Sequence, residues 1–90
     1  MAEKVRVLIV DDSSFFRGRI RRELEQSGEI EIAGEAGNGR EAVDAAVALR
    51  PDLITMDVAM PVMDGIAAVR EIMVRRPTDI IMFSALTRDG

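Results

Sequence analysis

Val5-Arg6-Val7-Leu8-Ile9-Val10, running directly into Asp11-Asp12, is the stretch on which the fold turns. Apart from Arg6 the run is apolar and rich in β-branched side chains, as expected of a strand covered on both faces, and it ends abruptly at two acids. Ser13 and Ser14 then offer N-caps to a segment in which Phe16, Ile20 and Leu24 recur every fourth residue, the helical period, until Gly28 stops it. One strand–helix unit is complete.

The same alternation continues outward. Ile30 to Ala36 reads as a second strand. In Gly37-Asn38-Gly39, Asn38 can cap a second helix that turns Ala42, Val43, Ala46, Val47 and Leu49 toward a core and is closed by Pro51. Asp52 to Asp57 contains Leu53, Ile54 and Met56 and reads as a third buried strand that again ends in an acid. After the turn Val58-Ala59-Met60-Pro61-Val62-Met63-Asp64-Gly65, Asp64 can cap a third helix with Ile66, Val69, Ile72 and Met73 on its inner face. Arg75-Arg76-Pro77 ends that helix with cations at the negative end of its dipole. Asp79 to Phe83 is the fourth strand. Short loops and strict alternation predict right-handed crossovers, hence an α/β fold with a doubly wound parallel sheet.

Ninety residues make a single domain, 1–90, with 48% hydrophobic and 31% charged residues, the balance of a folded soluble chain. The longest uncharged run at the amino end, Val7 to Val10, is far short of a membrane span or a secretory core, so a cytoplasmic location is expected. With no Cys and no His, disulfides, thiolate zinc sites and imidazole chemistry are excluded. The remaining oxygen ligands favour hard cations such as magnesium or calcium. The net charge of −4 argues weakly against nucleic acid. Arg17, Arg19, Arg21 and Arg22 run into Glu23 and Glu25 on the same helix, which reads as a solvated face rather than a nucleic-acid patch.

Ligands of open parallel sheets sit beyond the carboxyl ends of the strands. Asp11 and Asp12 lie at that end of the first strand, Asp57 at that end of the third. If those strands are neighbours, three carboxylates converge, an arrangement that repels itself unless a divalent cation joins it. Such a site suits phosphoryl transfer, in which a metal neutralises charge while a carboxylate attacks in line. Ser84, at the end of the fourth strand, can set a hydroxyl beside the same crevice. Any one of these acids alone would be read as a turn or strand terminator, and Asp64 is read only as a helix cap. Three acids together are not so easily dismissed. Met56, Met60 and Met63 are read as packing.

Leu8-Ile9-Val10-Asp11-Asp12, Asp57 with Met60-Pro61-Val62-Met63-Asp64-Gly65, and Phe83-Ser84-Ala85 together resemble the response-regulator receiver family, the CheY-like fold of two-component phosphorelay signalling. The resemblance implies strand order 2-1-3-4. It also implies that Asp57 takes a phosphoryl group from a histidine kinase and that Asp12 binds Mg2+ directly and Asp11 largely through water. The backbone carbonyl of Ala59 would be a further ligand, and Ser84 the switch hydroxyl. Ile81 to Gly90, with Arg76-Pro77, look most like the receiver of chemotaxis protein-glutamate methylesterases. In that family a functional lysine ends a fifth strand. The chain stops before it, so a truncated receiver, the first two-thirds of the domain, is expected.

Three functions compete. The leading one is a phosphoacceptor switch that assists its own phosphotransfer but is not an enzyme, partnered by a histidine kinase and by an effector domain or downstream protein. An aspartyl-phosphate hydrolase would need a second acid two residues after the nucleophile, where Ala59 stands. The alternative is a truncated or engineered receiver fragment that acts as a self-associating module, a homodimer through an exposed fourth-strand edge or bare sheet face. Neither nucleic acid nor membrane is expected as a partner.

Overall fold

The computed structural model describes residues 3–83. Within them seven elements alternate: β1 (Val5–Val10), α1 (Ser14–Glu25), β2 (Ile30–Ala36), α2 (Gly39–Leu49), β3 (Leu53–Asp57), α3 (Gly65–Arg75) and β4 (Asp79–Phe83). The four strands form one parallel sheet in the order β2-β1-β3-β4, as expected. β1 therefore lies between β2 and β3. Val7 to Val10 are fully buried, which accounts for the uninterrupted apolar run.

Arg6, the one charge in that run, sits where β1 enters the sheet and closes the far end of α2. Its Nη1 donates to the carbonyls of Leu49 (2.7 Å) and Arg50 (3.0 Å). These are among the carbonyls a helix end leaves without intrahelical partners. Arg50 itself takes the left-handed conformation (φ 52°), and Pro51 follows. Ser13, rather than Ser14, caps α1, its Oγ accepting from the Phe16 amide at 3.2 Å. Asn38 and Asp64 cap α2 and α3, each accepting at 2.9 Å from the amide three residues on.

The core lies on one face of the sheet, where Leu8, Val10, Ile54 and Met56 meet Ala42, Val43 and Ala46 of α2 and Ala68 and Ile72 of α3. Of the inner-face residues expected, Ala42, Val43, Ala46 and Ile72 are buried and Leu49 and Val69 pack against the core. Val47, Ile66 and Met73 are exposed, and the buried positions are Gly39, Ala42, Val43 and Ala46 in α2 and Gly65, Ala68 and Ile72 in α3. Gly39 and Gly65 hold their places because main-chain atoms approach too closely there for any side chain. A Cβ on Gly39 would collide with the Met63 carbonyl, and one on Gly65 with the Asp57 carbonyl. α1 covers the opposite face and buries none of its residues completely. β3 starts at Leu53, one residue later than expected, because Asp52 turns back on β1: its amide donates to the Arg6 carbonyl at 2.8 Å and its Oδ2 accepts from the Arg6 amide at 2.9 Å.

Candidate metal centre

β1 and β3 run side by side, with Val10 opposite Met56, so the residues that follow them arrive together at the carboxyl edge of the sheet. Asp11, Asp12 and Asp57 each offer a carboxylate oxygen there, and these oxygens lie within 4.8 Å of one another. Asp11 and Asp57 are buried and Asp12 is exposed, so two acids form a floor and the third a rim.

Asp11 is held at every polar position of its backbone and at one of its side chain. Its amide donates to the Ala36 carbonyl (3.1 Å), its carbonyl accepts from Arg17 Nη1 (2.6 Å), and its Oδ1 accepts from the Ser13 amide (2.9 Å). The first turn of α1 is thus tied to the acid that precedes it. Arg17 belongs to a wider cluster. Its Nε donates to Glu35 Oε1 on β2 at 3.0 Å, and Arg21 Nε donates to the other oxygen of the same carboxylate at 2.8 Å. Burial raises the Glu35 pKa, but hydrogen bonds and charge from Arg21 and Arg17 outweigh that and hold the carboxyl below its ordinary range.

Asp57 ends β3 opposite Phe83. The turn after it is folded back tightly: the Val58 amide donates to the Phe83 carbonyl (3.0 Å) and the Gly65 amide to the Val58 carbonyl (2.8 Å). Farther on, the Gly39 amide at the start of α2 donates to the Met63 carbonyl at 2.8 Å, clamping the same turn from the other side. Ala59 lies exposed in this turn, and Val62 adopts a left-handed backbone (φ 67°). Ser84 lies outside the described residues.

The donors fit a small divalent cation. All three are hard anionic oxygens, and opposite corners of a magnesium octahedron with ~2.1 Å bonds lie about 4.2 Å apart. A separation of up to 4.8 Å thus needs a shift of a few tenths of an ångström or one intervening water. The sequence reading singled out the three acids, and the structure brings them together. It missed Arg17, Glu35, Gly39 and Gly65. The usable signal for Arg17 was its spacing of four from Arg21, which puts both guanidiniums on the α1 face turned to β2.

The family described as response regulator receiver domain matches residues 7–89. A protein-glutamate methylesterase/protein-glutamine glutaminase of Alkalilimnicola ehrlichii is 64% identical over 87 residues, 97% of this chain but 22% of that protein. A Pseudomonas aeruginosa protein of the same description is 58% identical over 86 residues, 96% of this chain and 23% of its own. Among solved structures, the response regulator domain of Thermotoga maritima CheB is 43% identical with a TM-score of 0.91, covering 98% of this chain and 66% of that one. A chain of a CheX-CheY-BeF3-Mg2+ complex from Borrelia burgdorferi matches at 35% identity and TM-score 0.84, covering 92% of this chain and 63% of that one.

The chain thus spans about a fifth of the curated relatives' length. Their names correct the expectation that the protein is not an enzyme, since these relatives are esterases and glutaminases. The reason is physical. Acids and a serine at strand ends report the chemistry of the segment they stand in, and carry no signal about a reaction performed elsewhere in a longer protein.

Proposed function

The chain belongs to the response regulator receiver family, and from that premise we propose that it is the phosphoacceptor of a two-component chemotaxis system, with Asp57 as the residue phosphorylated. The observation that carries this reading is the convergence of three carboxylates from β1 and β3 within 4.8 Å, with Asp57 on the buried floor.

Asp12, at the rim, would hold Mg2+ directly, Asp11 through water, and the Ala59 carbonyl and Asp57 would complete the protein's share. The CheX-CheY match, whose complex contains Mg2+ and BeF3, supports that choice of cation. When bound, the cation supplies positive charge for the oxygens of the incoming phosphoryl group. An Asp57 carboxylate oxygen then forms a bond to phosphorus in line with the departing nitrogen of a phosphohistidine. The P–N bond breaks, its electron pair stays on the imidazole, which takes up a proton, and Asp57 becomes an acyl phosphate. Ser84 is proposed as the hydroxyl that reads the new group. The phosphodonor is proposed to be a histidine kinase. The controlled partner is proposed to be a protein-glutamate methylesterase activity in the same cytoplasmic protein, as the curated relatives' names suggest.

Intact-mass analysis after incubation with Mg2+ and a small phosphodonor tests the assignment. One phosphoryl mass is expected on the parent chain and none on Asp57→Asn. A phosphoryl group on the Asn variant would end it.

A homodimer is a second reading, favoured by one observation: Ile81 and Met82 on β4 are exposed, and among the described residues β4 pairs only with β3. Light scattering across a dilution series decides it, and a monomer at high micromolar concentration removes it.

A further inference from the structure

We infer that Arg17 is a positioning residue for the metal and phosphoryl site, a forked bridge that fixes the Asp11–Asp12 peptide against β2. The inference rests on the reading of that site as a receiver's Mg2+ and phosphoryl centre.

Two of the three converging acids are consecutive, so the orientation of the single peptide between them sets where both carboxylates point. The carbonyl of that peptide is the Asp11 carbonyl, and Arg17 Nη1 donates to it at 2.6 Å. The guanidinium cannot drift, because its Nε is bound to Glu35 at 3.0 Å, and Glu35 is itself held by Arg21 at 2.8 Å. The head group also lies against the turn after β2, where a Cβ on Gly37 would come within 3.5 Å of Nη1. Glu35 is opposite Ile9 in the β1–β2 pairing, so the bridge spans the two strands just below the site. A planar fork can bind a carboxylate and a carbonyl at once, and a single ammonium cannot hold both in the same geometry.

Arg17 also brings charge, which would disfavour a cation nearby, whereas positioning favours it. These two effects have opposite signs, so the decisive variant keeps the charge. Arg17→Lys loses the fork alone, and groups that orient metal ligands typically change affinity by 10–100-fold. The expected result is about tenfold weaker Mg2+ binding by calorimetry on the unphosphorylated full chain. Arg21→Lys is the graded comparison: it keeps the charge and the direct Arg17 contact to Asp11 but loosens the far end of the Glu35 latch, so its loss should be smaller, about two- to threefold. In labelling by a small phosphodonor, Arg17→Lys should raise the Mg2+ concentration for half-maximal rate and leave the rate at saturating Mg2+ near the parent's. A role in stability alone would not produce that split.

Melting curves in a chelator establish that the variants are folded at the titration temperature. Should Arg17→Lys not fold, Glu35→Gln asks the same question by loosening the latch, with about threefold weaker binding expected and parental binding overturning the inference. Arg17→Lys binding as tightly as the parent overturns it, and so does an Arg21→Lys loss as large as that of Arg17→Lys. A parent chain that takes up no Mg2+ overturns this inference together with the site reading it rests on, whereas parental binding with unaffected variants overturns this inference alone.

Discussion

The two faces of the sheet are held by different forces. On one, α2 and α3 press small side chains onto Leu8, Val10, Ile54 and Met56 and bury seven of their own residues. On the other, α1 buries none, and its firmest ties to the sheet are polar: Arg17 and Arg21 to Glu35, Arg17 and Ser13 to Asp11. The difference teaches what each face is for. Apolar packing fixes the distance between layers, whereas directional bonds from α1 fix the orientation of a particular peptide at the edge of the acidic site.

The sharpest way to break this contrast is to truncate one isoleucine on each face. Ile72→Ala on α3 empties a fully buried place and should cost about 2–5 kcal/mol, the range for buried isoleucine and leucine. Ile20→Ala on α1, only half-buried, should cost about 1 kcal/mol or less. Urea denaturation of both measures the gap. Equal losses would mean that α1 is anchored by burial after all, and that its arginines are incidental.

How these forces are encoded explains what was legible beforehand. β1 shows as a β-branched run stopped by acids, β2 as a run between Gly28 and Gly37, and β4 as a short apolar run after Pro77, so all three are recognised with their correct bounds. The acids at the ends of β1 and β3 are readable because strand ends of a parallel sheet share one edge. The inner faces of α2 and α3 are readable from hydropathy only in part: Ala42, Val43, Ala46 and Ile72 are buried as expected, but hydropathy favours Ile66 and Met73 over Gly65 and Ala68. What decides the matter at Gly65 is how near the backbone approaches, a property of the assembled layers. The role of Arg17 is hidden for a related reason: Glu35 lies 18 residues away on a strand that must first pair with β1. From the sequence alone its guanidinium looks like one of four on a solvated helix.

Gly65 sharpens the comparison where the packed face meets the site. It starts α3 and lies so close to the Asp57 carbonyl that an added Cβ has no room against main-chain atoms, which cannot rotate away as a side chain does. Gly65→Ala should therefore destabilise by about 1–3 kcal/mol, the usual range for overpacking, although alanine is the better helix former. It should also shift the amide resonances of Asp57 and Val58. Unchanged stability and unchanged shifts would show that the turn yields freely and does not hold the acceptor in place.

The smallest expected effect lies on the polar face, where it can be separated by pH. Glu35 is drawn below its ordinary pKa of 4.5 because the bonds and charges of Arg21 and Arg17 outweigh the effect of its burial. Its folded-state pKa is thus lower than its unfolded one. A group of that kind binds more protons in the unfolded chain, so its contribution is fully present above the unfolded value and is lost as the pH falls through the folded one. At pH 7 the carboxylate therefore helps to hold α1 on the sheet. Glu35→Gln should be less stable than the parent at that pH, and the gap should close as acid protonates the parent's carboxyl below about pH 4.5. Added salt should narrow the gap as well, since these charges are partly exposed and are screened over about 10 Å at 0.1 M. Neither acid nor salt should narrow the deficit of Ile72→Ala, which reflects lost contact in a dry interior. Urea melts of the three proteins at neutral and acid pH, each with and without salt, make the comparison. A Glu35→Gln deficit that persists unchanged in acid would show that this side chain acts by packing, and the two faces would then differ in degree and not in kind.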